Sequence, residues 1–131
     1  MSVELSMLVY SVALLFALVA IQAVAGVLAQ GLAAMAGSRD DLPAPKPFQA
    51  RTKRVVDNHR EGLALFAPLV LVAALVQISS PWTVLGAQLF FYARVVHAVL
   101  YVAGVPWVRP LAWAVGIVGT AMIFAALVGF L

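Results

Sequence analysis

Apolar residues run almost without interruption from Leu5 to Ala34, and no Lys, Arg, Asp or Glu lies between Glu4 and Arg39. A membrane-spanning helix needs about 20 such residues, so the run predicts a first transmembrane helix over about 5–34. A cleaved signal sequence would show a basic start and an apolar stretch of only about 7–15 residues. Here the stretch is longer and only Glu4 is charged before it. Residues 35–51 read as a loop, because Pro43, Pro45 and Pro47 alternate and forbid a continuous helix. A second helix is predicted over about 52–78, polar in its first turns and apolar from Gly62 onward. Ser79-Ser80-Pro81 makes a turn, a third helix follows over about 82–103, Gly104-Val105-Pro106 breaks it, and a fourth covers about 107–131.

Composition agrees with this pattern. Of 131 residues, 65% are hydrophobic and 10% charged, against about 25% charged in soluble domains. A chain this short and apolar suits lipid as its solvent, as one all-α domain: an integral membrane four-helix bundle. Cysteine is absent, which excludes a disulfide framework, thiolate metal ligation and a cysteine nucleophile. The net charge of +3 is concentrated rather than spread, so it is not a nucleic-acid footprint.

Position of charge also sets orientation. Arg39, Lys46, Arg51, Lys53, Arg54 and Arg60 lie in or beside the first loop, and the second connection carries no charge. The positive-inside rule puts the first loop in the cytoplasm and both termini outside.

Two polar clusters interrupt the apolar helices. Arg54, Asn58 and Glu61 are spaced i, i+4, i+7, and Arg94, His97 and Tyr101 are spaced i, i+3, i+7. Each set falls within an arc of roughly 60°. Counted from the turn at Ser80, Glu61 and His97 lie at depths that differ by only about 3 Å. Side by side, the two helices would bring six polar groups together in the cytoplasmic half of the membrane. Ionisable groups cost about 2.5–3.5 kcal/mol each at a helix centre, and they mark functional sites when they face protein or water. Arg94 needs a counter-charge, and Glu61 is the nearest by this counting. Arg51, Lys53, His59 and Arg60 fall off the shared faces and read as solvent or headgroup contacts, while Asp57 is placed to steady Arg54. His59 and His97 sit on different helices and supply too few ligands for a zinc site.

The run Arg54-x3-Asn58-x2-Glu61 resembles the signature of the MAPEG superfamily, membrane-associated proteins in eicosanoid and glutathione metabolism. The segment from Phe91 to Tyr101, with Arg94 and His97, is similar to the third helix of the same family, especially its prostaglandin E synthase branch. A Gly-Pro turn and Arg109 follow, as in many bacterial members. The resemblance implies a homotrimer of four-helix subunits in a bacterial inner membrane. It implies glutathione bound between subunits on the cytoplasmic side, and a transferase or peroxidase acting on a hydrophobic electrophile or lipid hydroperoxide. Arg54 and Arg94 would take the carboxylates of glutathione, Glu61 its ammonium, and Asn58 and His97 its peptide groups. Tyr101 would donate from its hydroxyl, and Arg109 would favour the thiolate.

The chain departs from the eicosanoid enzymes in two respects that bear on function: the proline after Glu61 comes later than usual, at Pro68, and the first helix carries no basic residue. The missing basic residue favours a second reading, a bundle that has lost its chemistry and serves as an accessory subunit. A small four-helix transporter is a third. Such exporters depend on a carboxylate inside the first helix, where this chain offers only Gln22 and Gln30.

Overall fold

A computed structural model describes all residues, Met1–Leu131. The chain is entirely helical: α1 Val3–Gln30, α2 Leu32–Ala36, α3 Pro47–Leu75, α4 Pro81–Ala103 and α5 Arg109–Leu127. Three of these, α1, α4 and α5, are long and apolar enough to cross a membrane. The fourth long helix, α3, has 29 residues, but its first turns hold Arg51, Lys53, Arg54, Asp57, Arg60 and Glu61.

The helix ends follow local chemistry. Ser2 caps α1 by accepting from Leu5 N at 3.2 Å. The run expected to continue to about residue 34 instead breaks at Gly31, whose φ of 89° and ψ of 152° suit glycine alone. The short α2 then turns back, and Met35 lies over Gly26, where an added Cβ would stand 2.7 Å from the Met35 methyl. No charge or proline announces that break. α3 begins at Pro47, ahead of the expected position near 52, because proline at the first helical position gives up an N–H that has no partner there anyway. It stops at Leu75 rather than 78. Gln77 turns to φ 57°, and Gln77 N and Ile78 N close back onto the carbonyls of Ala74 and Ala73. Ser80 and Thr83 form a capping box for α4, which ends at the left-handed Gly104. α5 begins at Arg109, two residues later than the expected 107, and stops at Leu127.

The core has two layers. In the first, Phe66 and Phe90 stack at 3.9 Å between centroids, and Met7, Leu63, Val70, Ala87 and Ile123 complete the layer. In the second, Leu18, Val55, Val56 and Ala98 pack at one level of α1, α3 and α4. The backbones of α4 and α5 meet directly at Gly86 and Gly119, where a Cβ on Gly86 would stand 2.5 Å from the Gly119 carbonyl oxygen. Small residues permit that approach. At the end of the bundle away from the basic loop, Glu4 is only 3% exposed. Its Oε1 accepts from Ser79 Oγ at 2.9 Å and Thr83 Oγ1 at 2.6 Å, which ties the start of α1 to the α3–α4 turn.

Candidate functional site

The two polar clusters do not face each other across one chain. Within α3, the stripe of Thr52, Val55, Val56, His59, Gly62, Leu63 and Phe66 points inward. Arg54 and Glu61 lie on the outer face and are exposed, and Asn58 sits half-buried at the boundary. On α4, Arg94 and His97 are buried, at 2% and 3% exposure, and Tyr101 is half-buried. So Asn58 and Arg94 meet, while Arg54 and Glu61 form no ion pair with the rest of the chain.

Arg94 is the best-defined member. Its Nη2 donates to the Asn58 carbonyl oxygen at 2.6 Å and to Asn58 Oδ1 at 2.8 Å. Its Nε points at His59 Nδ1 at 3.4 Å. Two glycines make the space: a Cβ at Gly62 would stand 3.1 Å from Nη2, and one at Gly116 would stand 3.3 Å from Cδ. The expected Arg94–Glu61 ion pair is absent, since the chain's two ion pairs are Lys53–Asp57 and Arg60–Asp57. Matching heights along two helices did not fix the direction of each side chain around its axis. Glu61 lies about 120° round α3 from the side that touches Arg94.

His59 is the residue that sequence reasoning missed. It is 1% exposed, and its Nε2 lies 2.8 Å from the Ser11 carbonyl oxygen of α1. Arginine can only donate, so the network assigns the proton to Nε2, which donates to Ser11, and leaves Nδ1 free to accept from Arg94. The signal was present in the spacing. His59 falls on the same stripe as Thr52, Val56 and Phe66, not on the face of Arg54 and Glu61.

Around the C-terminal end of α4, cations gather. The Tyr101 ring lies 5.4 Å from that of His97, and the Arg109 guanidinium sits over Tyr101 at 4.4 Å from its centroid. A cation over an aromatic face at that distance is attracted by the ring quadrupole. His97 is buried beside the Tyr101 ring. The Arg51 guanidinium lies over the Phe48 ring and beside Gly104, so it is packed against the protein rather than fully solvated.

Asp57, expected to steady Arg54, instead accepts from Lys53 Nζ at 2.7 Å and lies 3.9 Å from Arg60. No group of three or more His, Asp or Glu side chains converges anywhere as a metal site would require.

A family model described as MAPEG family matches residues 7–129 of this chain. No curated protein and no solved structure matches it.

Proposed function

The chain belongs to the MAPEG family, and from that premise we propose that it is a glutathione-dependent membrane transferase or peroxidase. Its second substrate is a hydrophobic electrophile or a lipid hydroperoxide, and glutathione lies between the subunits of a homotrimer on the cytoplasmic side.

One observation carries the reading. Glu61 is exposed and has no partner in its own chain, yet it lies about 15 Å along α3 from Arg51, toward the membrane centre. A lone carboxylate at that depth is tolerated only against protein or in a water-filled cavity. The outer face of α3, with Arg54 two turns nearer the loop, therefore suits a polar crevice shared with a neighbouring subunit.

The free groups on that face fit glutathione. Its two carboxylates match Arg54 and the cations at the α4 end, and its ammonium matches Glu61. Asn58 keeps its amide N–H₂ available, because Arg94 engages only its oxygens. Arg94 itself is enclosed, so its part is to hold Asn58 rather than to grip a carboxylate. When bound, glutathione supplies a thiol that as thiolate displaces a leaving group such as halide from an electrophilic carbon, or, as two molecules oxidised to their disulfide, reduces a hydroperoxide to an alcohol and water. Arg109 and Tyr101 stand together at the C-terminal end of α4. The Arg109 charge favours a thiolate beside it, and Tyr101, whose ring lies under that charge, would donate from its hydroxyl.

The accessory reading keeps one specific support: α1 has no basic residue at its cytoplasmic end. Equilibrium binding of glutathione to the purified oligomer decides between the two. Saturable binding at or below millimolar concentration, together with thiol conjugation to an apolar aryl halide or loss of a lipid hydroperoxide, supports the enzyme. An intact oligomer that binds no glutathione at that concentration supports the accessory subunit.

A further inference from the structure

We propose that the groove between α1 and α4 holds an acyl chain of an anionic phospholipid, in the leaflet at the Arg51 end, with the phosphate bound by Arg51. The groove has a volume of about 410 Å³, and its walls, from Leu14 to Ile21 on α1 and Val95 to Ala103 on α4, are wholly apolar. At its end the next residue of α4 is Gly104. A Cβ there would stand 3.0 Å from Arg51 Nη1, so the absent side chain makes room for the guanidinium.

Arg51 lacks an acceptor of its own. It is half-buried, its Nε is enclosed without a hydrogen-bond partner, and neither ion pair of the chain involves it. Arg109 adds a second positive charge at the same turn of α4 through its contact with Tyr101. Charged donors without a carboxylate, at the rim of an apolar groove, complement a molecule with one anionic head and one hydrocarbon tail.

Depth supports the same occupant. Leu18, Val55 and Ala98 share one level of the bundle, and Arg51 lies one turn beyond Val55 on the loop side. From Val3 to Ile21, α1 rises about 27 Å, close to the ~30 Å of bilayer hydrocarbon. Counted from Val3, the guanidinium would fall near the edge of the hydrocarbon, within reach of a headgroup, with the groove inside it.

The test is native mass spectrometry of the full-length oligomer in a neutral detergent, with added phosphatidylglycerol or phosphatidylcholine. The wild-type protein is expected to retain phosphatidylglycerol about fivefold better, the effect of one basic residue at a membrane surface. Arg51→Gln should abolish that preference, and Arg51→Lys should keep most of it. Val99→Trp, which fills the groove from an exposed position, should reduce retention of both lipids. Arg60→Gln should change nothing. An Arg51→Gln protein that keeps the preference overturns the proposal. So does an equal loss in Arg60→Gln, which would reveal only general surface charge, or full displacement by inorganic phosphate, which would reveal a free-anion site. Unchanged retention in Val99→Trp, or a groove occupied by a second copy of the chain, also overturns it.

Discussion

Arg94 Nη2 reaches both oxygens of Asn58, the carbonyl at 2.6 Å and the side-chain Oδ1 at 2.8 Å. One donor group thereby fixes a backbone position and a side-chain orientation of α3 from α4. The expected consequence is that Arg94 stabilises the bundle as well as the site. Arg94→Met should lower stability by ~1.5–3 kcal/mol, the range for a hydrogen bond to a charged group. Arg94→Lys should recover little of it, because an ammonium lacks the planar fork. Thermal unfolding in detergent measures both, and a variant as stable as wild type would refute the structural role.

Glu61 should behave in the opposite way. It has no partner within the chain, so Glu61→Gln should leave the stability of the isolated subunit within about 0.5 kcal/mol. Glutathione affinity should nevertheless fall roughly 10- to 100-fold, the equivalent of one hydrogen bond to a charged group. Calorimetric titration beside a melting curve separates the two effects. Equal affinity in the variant would remove Glu61 from the binding site.

Arg109 carries a prediction in pH. A cation beside the thiol lowers its pKa, so removing the cation raises it again. Arg109→Ala should therefore be slower at pH 7 by about tenfold for each unit the thiol pKa rises, and should recover toward wild type above about pH 8.5. Arg109→Lys should keep much of the neutral-pH rate. A rate lowered equally at every pH would show that Arg109 positions substrate without acting on the thiol.

At the α4–α5 crossing, Gly86→Ala would drive a methyl group to 2.5 Å from the Gly119 carbonyl oxygen. Backbone must shift to admit it, so a loss of ~1–3 kcal/mol is expected. Gly37→Ala, which meets only ordinary space near Ala33 at 3.4 Å, is the control and should be close to neutral. Paired melting temperatures decide the matter.

An all-helical membrane bundle was legible because composition and uninterrupted apolar runs speak about solvent, and solvent fixes the class of fold. Ends were legible where a short polar signal marks them, as Ser80 and Gly104 mark α4. The break at Gly31 was not, since a glycine within an apolar run gives the same letter whether it packs a helix or ends one. The candidate residues were found by their chemistry, but their grouping was not. Height along an axis follows from counting, whereas direction around it depends on which stripe the core claims. For α3 the core claimed His59 with Val55 and Phe66, and that turned Glu61 away from Arg94.

With no side chain between Gly86 and Gly119, α4 and α5 have no compressible layer at their crossing. The pair should therefore move as a single plank. Any breathing of the subunit that admits a bulky lipid-soluble molecule must then come from α1 or α3 sliding against that plank, and cross-links between α4 and α5 should leave turnover untouched where links from α1 to α4 arrest it.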